Sequence, residues 1–313
     1  MQCKYLDNQV CVRSDGQYRL CCVSLEQNNK ENIKTHTPQE WHDSDFHKKT
    51  RMQMLKGEWP DACTRCELQE IQGIDSMRTR VKPDGTRYVR NFFGPGISHL
   101  DIRFGNSCNL KCVSCWEMSS SSIAEEAIAM KKAGIVPLHG VLEVPNFNWA
   151  SEETMKKFDE LPIREVYLTG GEPMMVRHLD KFLERLDPSV LVRFNTNGTI
   201  WNPKIEKLLR RFNMVIMSLS LDAASNKIDY IRSGSKWSEI EVNAQKYADF
   251  CKVDVTPTLS ILNALYYDEL KEYATKNNFK IYDNLLILPE WLHVKNAPDS
   301  LPSSIAFKIS FSF

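Results

Sequence analysis

The chain has 313 residues, a formal net charge of +0, ten cysteines and 42% apolar residues. That size and apolar share suit one large α/β domain with a small accessory unit. The balanced charge excludes the basic footprint of a nucleic-acid binder and a polybasic membrane patch. No run of 18 apolar residues and no basic-then-apolar leader occurs, so a cytoplasmic chain without a membrane span is expected. In that setting the cysteines read as metal ligands rather than disulfides.

Residues 1–75 are cysteine-rich and irregular. Ser14-Asp15-Gly16 is a turn signal between strand-like runs at 8–13 and 17–22, which predicts a hairpin ending at Cys21-Cys22. Residues 41–55 read as a helix with Trp41, Phe46, Met52 and Leu55 as its apolar contacts, stopped by Gly57-Glu58-Trp59-Pro60. Cys63-Thr64-Arg65-Cys66 opens another helical stretch, 67–73. A cysteine-ended hairpin, a helix and a C-x2-C turn predict a second metal site held by Cys3, Cys22 (or Cys21), Cys63 and Cys66. Four thiolates with one close pair suit zinc as well as iron–sulfur. Cys11 falls inside the first strand, as a core residue or a spare ligand. Residues 76–97, rich in Arg, Gly and Pro, read as a solvated basic linker.

From residue 98 the pattern alternates strand with helix. The strand candidates are 99–104, 165–169, 191–195, 214–221, 253–260 and 281–288, rich in Val, Ile and Leu. Ser122-x-x-Glu125 reads as a capping box, and Asn202-Pro203 as a cap with proline at the first helical position. Six βα units over 98–290 predict an open or partial (β/α)6 barrel. The residues left, 291–313, are too few for the two further units of an eight-fold barrel. Residues 116–164 insert one helix and a Pro- and Asn-containing segment, 136–150, as a site cover or a passive extension. The apolar tail shows no clear role.

The chemistry concentrates on Cys108-Asn109-Leu110-Lys111-Cys112-Val113-Ser114-Cys115, spaced C-x3-C-x2-C at the exit of the first barrel strand. In α/β folds chemistry is placed at strand C-termini. Zinc sites favour four ligands in short pairs, which three lone thiolates do not offer. Thiolates also hold Fe–S clusters, and a four-iron cube on three cysteines has one iron with no protein ligand. Lys111 reads either as a cation beside the cluster or as a solvent-facing lysine. Thr169-Gly170-Gly171-Glu172-Pro173 follows the next strand; two glycines let backbone approach a ligand, and Glu172 can accept from an ammonium. Ser218, Ser220 and Asp222 alternate with apolar residues and share one strand face, where a bound ribose or carboxylate is a fitting partner. Cys251 reads as an apolar-like core residue.

The cysteine loop together with Gly170-Gly171-Glu172-Pro173 resembles the radical S-adenosylmethionine (radical SAM) superfamily. The resemblance implies a [4Fe–4S] cluster on Cys108, Cys112 and Cys115, with the amino and carboxylate groups of SAM on the open iron. It implies reductive cleavage of SAM to a 5′-deoxyadenosyl radical, hydrogen abstraction from a substrate, and an electron donor such as flavodoxin or ferredoxin. Gly170, Gly171 and Glu172 would meet the methionine amino group. Asn197, in a turn similar to the family's TNG, would support the SAM pocket. Arg232, in a segment similar to R-x-G-S, would pair with the SAM carboxylate. Ser260 or Asn263 would line the adenosine side, with Leu259 and Ile261 over adenine. One departure is Ser114, where the family carries an aromatic; here the aromatic is Trp116. The N-terminal cysteines resemble SPASM or twitch auxiliary units, which favours a second Fe–S cluster over zinc and a peptide or protein side chain as substrate. The alternative is a non-catalytic zinc or Fe–S protein with a decayed barrel, which the intact cysteine and glycine motifs oppose.

Overall fold

The computed structural model describes residues 1–25, 30–80, 96–137 and 147–296. They fall into two compact bodies. The first holds Met1–Asn106, Asn146–Arg193 and Lys204–Met214; the second holds Ser107–Pro145, Phe194–Pro203 and Val215–Phe313.

In the first body β1 (Gln9–Val12) turns back antiparallel into β2 (Tyr18–Arg19). Gly16, at φ +86°, supplies the left-handed residue of that turn. β1 also pairs in parallel with β3 (His99–Arg103), and β3 with β4 (Glu165–Thr169). With β5 (Leu191–Thr196) the strand order is β2-β1-β3-β4-β5. The cysteine-bearing hairpin therefore lies in the same sheet as the strand that leads to the cysteine loop. Alternation sorts the side chains onto two buried faces. One carries Val10, Val12, Leu100, Ile102, Val166 and Leu168. The other carries Gln9, Cys11, His99, Asp101 and Glu165, with His99 and Arg193 each 3.7 Å from Glu165.

The single helix expected over 41–55 is two. Pro38–His42 is opened by Thr37 in a capping box with Glu40, and Asp45–Leu55 is capped by the Ser44 hydroxyl. The new start turns the second helix so that His47, Thr50 and Met54 face inward, while Phe46, Met52 and Leu55 are exposed. Of the expected contacts only Trp41 is buried, stacked on Tyr18 at 5.8 Å.

In the second body the end of β5, β6 (Val215–Leu219), β7 (Lys252–Val255) and β8 (Lys280–Ile281) follow in chain order, with β6–β7 and β7–β8 parallel. The α/β class with chain-ordered parallel strands is the expected one. The last two strands are shorter than predicted, because Pro257 has no N–H to give the ladder. Their continuations, Thr258–Leu259 and Asn284–Leu285, pair with each other in a separate ladder. The helix Ser121–Lys132 starts two residues early: its cap is the Ser120 hydroxyl, which accepts from Ile123 N, so the expected Ser122–Glu125 box is not the cap. Helices Trp237–Ala248 and Tyr267–Lys276 bury Ile240, Ala244 and Tyr247, and Leu270 and Ala274, as their spacing predicts. No described helix is long and apolar enough to cross a membrane. Residues 81–95, 138–146 and 297–313 of the expected linker, insertion and tail lie outside the described residues.

Candidate functional site

The cysteine loop belongs to the second body. Cys108 is buried, Cys112 and Cys115 partly so. Its shape is fixed by the neighbouring helix start: Ser121 Oγ accepts from Cys108 N at 3.1 Å, and Ser122 Oγ donates to Cys108 O at 2.7 Å. Ser122 thus holds the ligand loop instead of capping the helix. Asn109 donates to Thr199 Oγ1 at 2.9 Å and accepts from Asn197 Nδ2 at 3.0 Å, tying the loop to the Asn195–Gly198 turn. Asn197 is buried, and its own carbonyl oxygen accepts from Thr199 N at 2.9 Å. Burial pushes the Cys112 thiol up and the Cys115 thiol to about 12, with Arg232 pulling Cys112 back down. Buried thiols of this kind ionise when a cation takes their charge.

Residues 232–233 form a two-stranded antiparallel ladder with the loop, placing Arg232 opposite Cys112 and Ser233 opposite Lys111. Arg232 Nη1 donates to Cys112 Sγ at 3.9 Å, and its Nε lies 2.8 Å from Asp222 Oδ2. Asp222 is itself buried and accepts from Thr258 N at 2.8 Å. So the arginine expected to meet a SAM carboxylate is engaged by Asp222 and a cysteine sulfur. Lys111 pairs with Glu126 at 2.8 Å on the exposed helix surface, the solvent-facing reading. Ser218 and Ser220 are buried near the end of β6. Asn263 serves its own turn, accepting from Ser260 N at 2.8 Å and donating to Thr258 O at 3.0 Å. Cys251 donates to Tyr247 O at 3.1 Å and is half-buried, not the core residue expected.

The glycine motif belongs to the first body. Gly170 has φ +115°, and a β-carbon there would lie 3.0 Å from Arg103 Cβ and 3.2 Å from Gly105 O. At Gly105 a β-carbon would lie 2.1 Å from the Phe147 carbonyl oxygen. Backbone thus crowds backbone where β3 and β4 end, with no room for side chains. The insertion segment contributes here, since Trp149 Nε1 donates to Arg103 O at 2.8 Å and to Arg13 O at 3.0 Å. Glu172 is buried, and one carboxylate oxygen accepts from Met174 N at 3.0 Å in the turn Pro173–Met175.

A separate small pocket in the first body is lined by Cys3, Cys21, Cys63 and Cys66, with Met54, Trp59, Arg65 and Arg78 in its walls. Cys21 lines it and Cys22 does not; of the adjacent pair, the hairpin end turns Cys21 inward. Burial raises the Cys3 thiol to about 11 and Cys21 well above its ordinary value. Arg78 is fixed by Glu70: its Nε donates to Oε1 at 3.0 Å, its Nη2 pairs with Oε2, and Ser76 Oγ donates to Oε1 at 2.6 Å. Among the described residues no group of three or more His, Cys, Asp or Glu converges as a single metal ion requires. Three thiolates on the loop without a fourth ligand match a cluster with one open iron rather than a closed four-ligand zinc site.

Three cysteines on the loop that follows β3, and a glycine turn that follows β4, mark an α/β protein with thiolates placed for an iron–sulfur cluster. The chain belongs to the Radical SAM superfamily, whose family model matches residues 102–276, more than half of it. The family implies a [4Fe–4S] cluster and S-adenosylmethionine. A protein of Archaeoglobus fulgidus named "Probable GTP 3',8-cyclase" is 25% identical over 197 residues, covering 61% of this chain and 59% of the relative. One of the same name from Methanocella arvoryzae is 33% identical over 138 residues, covering 42% and 38%. The chain thus spans well under two thirds of these relatives' lengths. Streptococcus suis SuiB, solved bound to precursor peptide SuiA, is similar at TM-score 0.48 and 14% identity, covering 91% of this chain and 53% of SuiB.

The sequence leaves Cys21 and Cys22 both open and does not reveal the pairing of Asp222 with Arg232 or of Glu70 with Arg78. Only the contact of Arg232 with Cys112 signals the first of these pairings, and that contact joins residues 120 apart.

Proposed function

We propose that the chain is a radical SAM enzyme that takes a hydrogen atom from its substrate. A [4Fe–4S] cluster on Cys108, Cys112 and Cys115 together with SAM would supply the chemistry, a one-electron reductive cleavage of SAM to methionine and the 5′-deoxyadenosyl radical that would abstract that hydrogen. The observation that carries the reading is the loop itself: Cys108 is pinned through its backbone by Ser121 and Ser122, and its partners follow at three- and two-residue gaps. Cys108, Cys112 and Cys115 hold the cluster. Gly170, Gly171 and Glu172 offer close backbone and a buried carboxylate to the methionine ammonium. Asn197 keeps the loop in place through Asn109, Ser218 and Ser220 add polar groups for SAM, and Arg232 serves Cys112 and Asp222 in place of the SAM carboxylate. Keeping these groups out of water strengthens each contact and protects a reactive radical.

Cys3, Cys21, Cys63 and Cys66 hold a second, auxiliary cluster in this reading. The likeness of this cysteine pattern to auxiliary units supports iron–sulfur there, with all four cysteines lining one pocket. The substrate proposed is a peptide or protein side chain, as for enzymes with an auxiliary cysteine unit. A purine nucleoside triphosphate is the second reading, since relatives carry the name GTP 3',8-cyclase. A reduced flavodoxin or ferredoxin is the electron donor.

The test is anaerobic reconstitution with iron and sulfide, reduction with SAM, and chromatography for 5′-deoxyadenosine. Formation that is lost in Cys112→Ala supports the reading, and turnover raised by GTP would move the substrate to the nucleotide class. A wild-type chain that takes up no iron at the loop sinks it.

A further inference from the structure

We propose that Arg232, anchored by Asp222, sets the reduction potential of the cluster held by Cys108, Cys112 and Cys115; this rests on the radical SAM reading above.

The placement is built into the backbone. The ladder sets Arg232 opposite Cys112, and Val113 N donates to Ile231 O at 2.9 Å beside it. Gly234, at φ +98°, closes the turn where a β-carbon would stand 3.2 Å from Asn109 O, so this return strand lies directly on the cysteine loop. The guanidinium then has two fixed partners: Cys112 Sγ at 3.9 Å and Asp222 Oδ2 at 2.8 Å. Its side chain is 12% exposed and that of Asp222 is 1% exposed.

A buried ion pair costs desolvation and is weak support for stability. Its use is electrostatic. A thiolate-ligated cluster gains one negative charge when it takes up an electron. A cation on a ligand sulfur, in a site of low dielectric, favours the reduced form. Asp222 works in two directions: it holds the guanidinium on the sulfur and offsets part of its charge. Removing the arginine should therefore lower the midpoint potential. Removing the charge of Asp222, with the arginine still held by its ladder, should raise it. Opposite signs for two touching residues are a signature that loss of packing does not produce.

The experiment is an anaerobic potentiometric titration of the reconstituted full chain. It follows the electron paramagnetic resonance signal that changes when SAM is added, so that only the cluster with an open iron is read. Wild type is compared with Arg232→Met, Arg232→Lys and Asp222→Asn. At a fixed potential Arg232→Met is expected to hold a reduced-to-oxidised ratio at least tenfold lower, about 59 mV for one electron. Arg232→Lys keeps the charge and should recover part of it, and Asp222→Asn should shift the ratio upward. Should Arg232→Met fail to load iron, Asp222→Asn decides alone. Equal midpoints in loaded variants, shifts of the same sign, or loss of loading in all three variants would overturn the proposal. A wild-type chain without iron at the loop would instead overturn the radical SAM reading on which it stands.

Discussion

Gly170→Ala separates two costs at the glycine turn. The first is conformational, because φ +115° is territory that essentially only glycine occupies, at about 1–3 kcal/mol for another residue. The second is steric. The new β-carbon would meet Arg103 Cβ at 3.0 Å, Gly105 O at 3.2 Å and Arg103 Cα at 3.3 Å. None of these is the free end of a side chain, so none swings away, and crowding of this kind costs about 1–3 kcal/mol more. Gly73→Ala is the control: its φ is +73°, with nothing within 4 Å of the added carbon, so it carries strain alone, about 1–2 kcal/mol. Urea unfolding of both variants and wild type should show the midpoint falling roughly twice as far for Gly170→Ala, with unchanged slope. SAM binding to the iron-loaded protein should weaken only in Gly170→Ala. Equal midpoint losses in the two variants would refute the close approach of β3 and β4 at their ends.

Other outcomes are equally definite. His47 is fully buried against Trp41 and His42, and burial lowers its value from 6.5 to about 3, with His42 and Arg51 adding to the effect. The unfolded chain then binds the extra proton below pH 6.5, so the neutral form's stability is complete above that pH and is lost on acidification, by about 3 kcal/mol at pH 4. His47→Phe should flatten the fall in urea midpoint between pH 7 and pH 4.5, and an unchanged slope against pH would count against a buried neutral ring. Asn109→Ala removes the bonds to Thr199 and Asn197 and should cost about 1–2 kcal/mol while speeding iron loss from the loop; equal retention would show that the serines alone hold it. Cys21→Ala and Cys66→Ala should each lose the second cluster's iron, and Cys22→Ala should keep it. A loss confined to Cys22→Ala would reverse the hairpin assignment.

What the sequence showed followed from local signals. The C-x3-C-x2-C spacing and the glycine turn lie each within a few residues of a strand end, and strand identity came from runs of Val, Ile and Leu. Errors arose where tertiary context competes with a local rule. Ser122 has the spacing of a capping box, yet its hydroxyl is drawn to Cys108 O, and Ser120 takes the cap. The helix over 41–55 was read in one register because nothing in its apolar spacing reveals that Ser44 restarts it, and that restart moved Phe46, Met52 and Leu55 outward. Cys21 and Cys22 are adjacent, so only the twist at the end of the hairpin tells which one faces the cavity.

The two thiol groups share a design that neither motif displays in sequence. Each faces an arginine held by a carboxylate: Arg232 with Asp222 at Cys112, and Arg78 with Glu70 beside Cys3 and Cys66. Arg78 also donates to Gln2 O at 3.1 Å, next to Cys3, as Arg232 is paired through its backbone with Cys112. The Arg78 guanidinium reaches a main-chain carbonyl directly, whereas Arg232 is placed by the pairing of its own backbone. A cation beside thiolates stabilises a zinc tetrathiolate and an iron–sulfur cluster alike, so the pairing alone does not choose between them. The choice is made by titration: with the second cluster proposed above, Arg78→Met should lower the midpoint of the signal that SAM leaves unchanged, and the absence of any second redox signal would leave zinc as the occupant.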